Sequence, residues 1–295
     1  MKNSSNSFLI DFTIGGFSAG LSKVIVAPIE RVKLLLQLQH VAKGLEGKEK
    51  YKGIIDCVCK VYKTQGLLSF WRGNTSNIIR HFPAQAINFA IKEQIKPLLN
   101  CEGNGFIGKT IINFVAGGFA GAFSLSLVYP LDFIRTRMAA DVGKEKSERE
   151  FSGISSVVRK IWLSDGITGF YRGISIAIPN SFIYRSLYFG GFDTGLSLFS
   201  DSQRANVLNI WALAQIITLT AGLLVYPLDT VRRRLMMQSG RQDILYANTR
   251  DCFRKIYTTE GGILAFYKGA ASNCIRGLGG ALVLVFYNKG KTHLS

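Results

Sequence analysis

The chain has 295 residues, 47% hydrophobic and 19% charged, with 36 basic residues against 19 acidic and a net charge of +17. Such a composition excludes a disordered chain, which needs low hydrophobicity, and five cysteines are too few, and odd in number, for a disulfide scaffold. Excess basic charge on an apolar chain leaves a nucleic-acid binder or a membrane protein.

The first apolar stretch is Phe8 to Ala27, interrupted by Asp11 and Lys23. Residues 1–7 are polar with a single Lys, and the stretch behind them is too long for the apolar core of a cleavable signal. No amphipathic Arg-rich presequence is read either, so any address is expected inside the mature chain. Thr110 to Leu131 and Ala205 to Leu228 are runs of 22 and 24 residues without a formal charge. A bilayer helix needs about 20 apolar residues. A buried core helix is the alternative, but core helices are usually shorter. The two runs therefore favour the membrane class over the nucleic-acid class.

The chain repeats itself three times. Pro28-Ile29-Glu30-Arg31-Val32-Lys33, Pro130-Leu131-Asp132-Phe133-Ile134-Arg135 and Pro227-Leu228-Asp229-Thr230-Val231-Arg232 each read Pro-x-acid-x-x-base at the end of an apolar helix. Three further markers follow in a fixed order. Tyr51-Lys52-Gly53, Phe151-Ser152-Gly153 and the poorer match Tyr246-Ala247-Asn248 come first. Gln65-Gly66, Asp165-Gly166 and Glu260-Gly261 come next, then Trp71-Arg72-Gly73, Tyr171-Arg172-Gly173 and Tyr267-Lys268-Gly269. Repeats of this kind dictate the architecture. Between the markers the pattern predicts short helices over about 54–64, 154–164 and 250–259, and second apolar helices over about 74–98, 174–198 and 271–290. The second helices are interrupted by Arg80, Arg185 and Arg276. The expected fold is an all-α membrane protein with six transmembrane helices and three short helices on one side. Its three repeats, 1–100, 101–200 and 201–295, form one structural domain.

Three repeats of about 100 residues carrying Pro-x-Asp/Glu-x-x-Lys/Arg on each odd helix resemble the mitochondrial carrier family, and the match covers almost the whole chain. Arg232-Arg233-Arg234-Leu235-Met236-Met237 is similar to the arginine-methionine string of that family's ADP/ATP-exchanging branch, with Leu at one position where Met is usual. Pro28 to Gln37, Asn88-Phe89-Ala90, Tyr129 to Asp141 and Gly277 to Val285 resemble the same branch. The resemblance implies a six-helix bundle with threefold pseudo-symmetry around a cavity that opens alternately to either side. It implies an antiporter exchanging ADP for ATP in the mitochondrial inner membrane, a transporter rather than an enzyme. The partners it implies are ADP, ATP and inner-membrane lipid, with no nucleic acid and a functional monomer.

Charge inside a bilayer helix costs about 2.5–3.5 kcal/mol. Lys23, Arg80 and Arg276 lie inside apolar helices, so a wet cavity is their expected environment, and clustered cations suit a polyanion. Snorkelling to an interface is the plainer reading for Lys23. The resemblance assigns Arg80 and Arg276 to two substrate contact points, Lys23 to phosphate and Tyr184 to the adenine face, and places Arg233 in the same site. Tyr184, Tyr188 and Phe192 share one helix face, which is also what an aromatic core stripe would look like. At the middle contact point that branch usually has Gly-Ile, whereas this chain has Asn180-Ser181, two small polar residues able to bond an adenine edge or to change base selectivity.

The three acid-base elements place both charges three apart, on one helix face. The resemblance pairs them in a ring that shuts the matrix side: Glu30 with Arg135, Asp132 with Arg232 and Asp229 with Lys33. At the opposite end it expects acid-x-x-base elements near the ends of the even helices. Glu93 and Lys96 complete the first, but Leu196 replaces the base after Asp193, and Asn288 replaces the acid before Lys291. A weaker cytoplasmic gate is expected to favour the cytoplasm-open state. Small residues at Gly16 and Gly20, Gly117 and Gly121, and Thr218 and Gly222 suit close helix approach, whether static or sliding.

The basic loops predict their own side as the matrix and leave both termini toward the intermembrane space. In the family, the marker glycines hold cardiolipin, which implies Gly53, Gly73, Gly153, Gly173 and Gly269 here, beside their plain role as turn formers. No other cofactor and no metal is expected: Cys57-Val58-Cys59 has no second ligand pair nearby, and free reduced thiols are the reading. Competing functions are a carrier for another nucleotide or anion, and a proton-leak or uncoupling activity.

Overall fold

The computed structural model describes residues 23–42, 45, 49–80, 83, 106–143, 149–200 and 207–274. Among them every regular element is helical. The first repeat contributes α1 (residues 23–38), α2 (Ile54–Gln65), a 3-10 turn (Leu67–Trp71) and α3 (residues 74–80). The second contributes α4 (Phe106–Ala140), α5 (Ile154–Gly169) and α6 (Ile174–Ser197). The third contributes α7 (Val207–Leu224), α8 (Tyr226–Met236), α9 (Thr249–Thr259), α10 (Ile263–Phe266) and α11 (residues 270–274).

Proline acts differently in the two odd helices that the structure follows furthest. α4 runs unbroken through Pro130. The third repeat does not: its apolar run breaks at Val225, and α7 and α8 meet at 53°. Pro227 has no N–H to continue the ladder, and its ring crowds the carbonyl four residues back, so it serves instead in the first turn of α8. Among the described residues no single helix is long and apolar enough to cross a membrane alone. The bent pair Leu208–Leu224 and Tyr226–Met236 meets that test together.

The three short helices α2, α5 and α9 are built alike. Each buries one narrow stripe at i, i+4: Cys57 and Val61, Val157 and Ile161, Cys252 and Ile256, all fully inaccessible. Cysteine here takes the place of a valine as a small apolar side chain, and burial pushes both thiols up to about 12. The N-termini share a device as well. The Asp56 carboxylate accepts from Lys52 N at 2.9 Å, Ser156 Oγ from Gly153 N at 3.0 Å, and the Asp251 carboxylate from Ala247 N at 3.0 Å. Asn248, where the other repeats have Gly, caps α9 by accepting from Asp251 N at 2.9 Å. α5 extends past its expected end only by crossing Gly166 at φ 62, which separates a last short turn from the helix proper.

The repeats close on one another in a cycle. Gly73 approaches Arg135 O and Ala139 N in the second repeat, Gly173 approaches Arg232 O in the third, and Gly269 approaches Lys33 O in the first. At Gly173 a Cβ would stand 2.8 Å from Arg232 O, and its φ of 87 already excludes most side chains. These close approaches require the glycines of the aromatic-base-Gly marker. The aromatics of that marker also have a task. Tyr171 stacks on Tyr129 and Tyr267 on Tyr226, with centroids 6.1 and 6.0 Å apart. The partner tyrosines donate to Arg172 O and Lys268 O. In the first repeat Ala27 stands where the others have Tyr, and Trp71 donates to Val24 O instead, at 2.8 Å.

Gly121, expected at a close helix approach, accommodates a side chain: the Arg185 guanidinium lies 2.5 Å from where its Cβ would be. Gly16 and Gly20 lie outside the described residues.

Candidate functional site

The Pro-x-acid-x-x-base elements converge on a ring. Glu30 pairs with Arg135, Asp132 with Arg232, and Asp229 Oδ2 with Lys33 Nζ at 3.1 Å. Each link joins one repeat to the next, in the cyclic order of the marker glycines. Helical spacing explains why both charges of every element point inward: residues three apart share a face. All six side chains are largely buried, so the desolvated charges require their partners.

The ring is more connected than three pairs. Arg233 donates from Nε to Asp229 Oδ2 at 3.1 Å and from Nη1 to Thr136 Oγ1 at 3.4 Å, bridging the third and second repeats. Gln37 Nε2 lies 3.4 Å from the same Asp229 oxygen and donates to Thr230 Oγ1 at 3.2 Å. Asn77 Nδ2 donates to Glu30 Oε2 at 3.2 Å. Lys33 also donates to Asn273 Oδ1 at 3.3 Å. Lys33 and Arg232 lie over the Tyr226 and Tyr129 rings, at 5.0 and 5.1 Å.

Beneath the ring, three fully buried arginines brace the repeats in the same cyclic sense. Arg31 donates to Ala139 O and Asp141 O, Arg137 to Met237 O at 2.9 Å, and Arg234 to Gln37 O at 2.8 Å. Their other partners differ. Arg234 forms a fork with Glu260 at 2.6 and 2.7 Å. Arg137 uses Glu150 at 3.0 Å. Arg31 has Gln65 at 2.8 Å and the carbonyl of Ser69. The acidic marker is thus used in two ways: Glu260 pairs with Arg234, whereas Asp165 accepts from Ser239 Oγ at 2.7 Å and Gly240 N at 3.0 Å.

Above the ring opens a cavity of about 300 Å³. Lys33, Asp229, Arg232 and Arg233 form its charged side, and Asn180, Ser181 and Tyr184 of α6 face it with Thr218, Gly222 and Asn273. Tyr184, Tyr188 and Phe192 form a stacked ladder up α6, with centroids 6.3 Å apart at each step. Arg80 lies at the ring, its Nε 3.9 Å from Asp132 Oδ1, which is an ion-pair distance and too long for a hydrogen bond. Lys23 is seven residues from Glu30 in α1, two turns along the same face. Arg276, Glu93, Lys96 and Lys291 lie outside the described residues, as does the Asp193 side chain.

Repetition made the ring residues findable. Gln37 was not, because its bonds occur in one repeat only; Asn77 and Asn273 stand four residues after Gly73 and Gly269, but Ala177 takes that place in the second repeat and breaks the pattern. Arg137 and Arg234 carried a usable signal, each standing seven residues after its proline. Arg31 carried none, standing three after Pro28.

The mitochondrial carrier protein family matches the chain three times, over residues 4–103, 108–203 and 203–295. The chain belongs to the mitochondrial carrier family. Carriers of this family are transporters, and ring, braces and marker glycines all follow its threefold repeat. The chain is 51% identical to ADP/ATP translocase 3 of Homo sapiens over 296 residues, covering 99% of both chains. It is 51% identical to ADP/ATP translocase 2 of Rattus norvegicus over 301 residues, covering 99% of this chain and 100% of the relative. It is 50% identical to the mitochondrial substrate carrier family protein ancA of Dictyostelium discoideum, covering 98% and 94%.

One titratable group of this carrier sits beside the braces. His40 Nε2 lies 2.8 Å from Lys268 Nζ and 3.6 Å from Glu260 Oε2. An imidazole nitrogen that accepts from an ammonium is unprotonated. Burial pushes His40 down from 6.5 to about 4; Glu260 opposes the shift, and Lys268 and Arg234 add to it. The unfolded chain therefore binds a proton near pH 6.5 that the folded chain refuses until about pH 4. Stability contributed by neutral His40 is present above pH 6.5 and lost as pH falls through that window. Thermal unfolding in detergent at pH 7.5 and pH 5 is expected to show a smaller acid-induced fall in Tm for His40→Gln than for the parent. An equal fall in both would refute it.

Proposed function

We propose that this chain exchanges ADP for ATP across the mitochondrial inner membrane by alternating access. What carries the reading is that Tyr184 and Asn180 line one cavity together with Lys33, Arg232 and Arg233, a flat aromatic face and phosphate-seeking cations in one space. Identity near 50% to proteins named ADP/ATP translocases, over nearly the whole chain, supports the same substrates. Lys23, Arg80 and Arg276 are the further cations proposed for the phosphates.

The ring serves as the matrix gate. Its three pairs link all three repeats, so separating the odd helices at that end must break all of them together. The cavity lies above the closed ring, and the charge network supports a state open to the cytoplasmic side. Glu93, Lys96, Asp193 and Lys291 form the opposite gate, which lacks a base at Leu196 and an acid at Asn288. The resting population therefore leans toward the state with the matrix gate shut.

Six spans, both termini toward the intermembrane space and a functional monomer complete the proposal. The apolar side chains exposed on α4 and α7, including Phe123, Leu127, Leu208, Ile216 and Leu224, suit contact with lipid tails. Gly53 and Gly153, at the N-termini of α2 and α5, and Gly73, Gly173 and Gly269 suit cardiolipin phosphate.

The test is uptake of labelled ADP by purified protein in cardiolipin-containing liposomes. Uptake is expected only into vesicles loaded with ADP or ATP, and Arg80→Ala is expected to abolish it. Exchange against another nucleotide or anion, without ADP, would keep the carrier and replace its substrate. The polar pair Asn180-Ser181, where the ADP/ATP-exchanging branch usually has Gly-Ile, is where the cause would lie.

A further inference from the structure

The short helices α2, α5 and α9 carry a second stripe beside the one they bury, one residue further along. Its later member is a large amphipathic aromatic in every repeat: Tyr62, Trp162 and Tyr257, exposed by 58%, 59% and 55%. One turn earlier Val58 and Val158 are exposed in the same stripe of α2 and α5, whereas Phe253 of α9 packs on the core. Just past each helix the chain shows more apolar surface, at Leu67 and Leu68, at Ile167, and at Ile263 and Leu264. Exposed bases stand beside the aromatics: Lys63, Arg159 and Arg254. Clustered exposed apolar side chains mark a surface that meets something other than water. In the first repeat Val58 and Leu67 run on into an apolar groove of about 260 Å³, walled also by Pro28, Ile29 and Val32 of α1. The stripe is therefore continuous with the flank of an odd helix.

We infer that Tyr62, Trp162 and Tyr257 anchor the three short helices in the headgroup boundary of the matrix leaflet. This rests on the membrane placement proposed above and not on the transported substrate. It concerns different residues from the glycines proposed for cardiolipin phosphate. Threefold repetition selects the occupant. The helices belong to repeats that close in a cycle, so their matched faces stand around the molecule, and a surrounding bilayer meets all three alike. A globular partner would have to bind in three copies. Tyr and Trp suit this depth, because the ring is apolar while its O–H or N–H still reaches water. An apolar stripe flanked by Lys and Arg is also what holds a helix in the plane of the interface, and those bases complement anionic headgroups.

The experiment is tryptophan quenching in vesicles of phosphatidylcholine and cardiolipin, the phosphatidylcholine being brominated either near the headgroup end or near the methyl end of its acyl chains. The emission of Trp162 is the difference between the parent and Trp162→Phe. That of Trp211, on the apolar α7, is obtained in the same way with Trp211→Phe. Both side chains are exposed, and substitutions at such sites rarely disturb a fold. Trp162 is expected to be quenched about twofold more by the shallow bromine than by the deep one, because an interfacial helix reaches only about 5–10 Å into the boundary. Iodide in the aqueous phase on both sides should quench it little. In the Trp162→Phe chain, Tyr62→Trp and Tyr257→Trp should each restore a component with the same depth preference. Trp162 emission quenched by iodide and by neither lipid would overturn the inference, as would deep quenching that exceeds shallow. Trp211 quenched by lipid while Trp162 is not would overturn the anchors alone. Neither residue quenched by lipid would overturn the membrane placement, and this inference with it.

Discussion

Arg234→Ala is expected to lower folding stability by about 3–5 kcal/mol, the usual cost of stripping one partner from a buried ion pair. The side chain is fully buried, holds Glu260 in a fork at 2.6 and 2.7 Å, and donates to Gln37 O in the first repeat. Its loss leaves a carboxylate at 8% exposure whose remaining ion-pair partners among the described residues are His40 and Lys268, at 3.6 and 3.8 Å. It also leaves the Gln37 carbonyl without that donor, at the seam where the third repeat closes on the first. Arg234→Met with Glu260→Leu is expected to be less destabilised than Arg234→Ala alone, since an apolar pair carries no stranded charge. Unfolding of detergent-solubilised protein reads both. A loss under about 1 kcal/mol in Arg234→Ala would remove the brace from the account.

The threefold scheme was legible because each feature occurs three times. Three pairs of opposite charges at i, i+3 beside three prolines could hardly do anything but meet, and they meet as a cycle. The short helices were legible for a similar reason: their buried stripe falls at equivalent positions, Cys57, Val157 and Cys252. What broke the symmetry was hidden. Asp165 and Glu260 occupy matching positions, yet one bonds Ser239 and the next backbone N–H while the other grips Arg234. The second repeat's brace finds Glu150, fifteen residues earlier than Asp165. Which carboxylate a guanidinium reaches depends on loop path, and periodicity does not encode loop path. The orphaned oxygen of Asn180 was equally hidden: its sequence position announced a polar residue, and only packing reveals that nothing in the described fold answers it.

Asp229→Asn is expected to open the matrix side. Lys33 Nζ, Arg233 Nε and Gln37 Nε2 converge on the single oxygen Oδ2, at 3.1, 3.1 and 3.4 Å. Asparagine is nearly isosteric but neutral, so it leaves two cations facing each other without the anion between them. Losing one such buried pair is worth about 3–5 kcal/mol, which displaces a two-state equilibrium by roughly 10²–10⁴-fold. The closed ring is the state that loses, because only there do the first and third repeats meet through this oxygen. The readout is a thiol at Thr218, on the cavity wall, in a chain whose five native cysteines are replaced by alanine. In the parent, Thr218→Cys should react faster with an impermeant maleimide from the cytoplasmic side than from the matrix side, as the proposed weaker cytoplasmic gate requires. Equal or faster matrix-side reaction would contradict that resting bias. Adding Asp229→Asn should raise the matrix-side rate by at least tenfold and slow exchange, since a carrier that cannot shut one gate cannot cycle. Matrix-side labelling that stays at the parent's rate would mean that the other two pairs hold the ring without Asp229, and that the ring does not open as a unit.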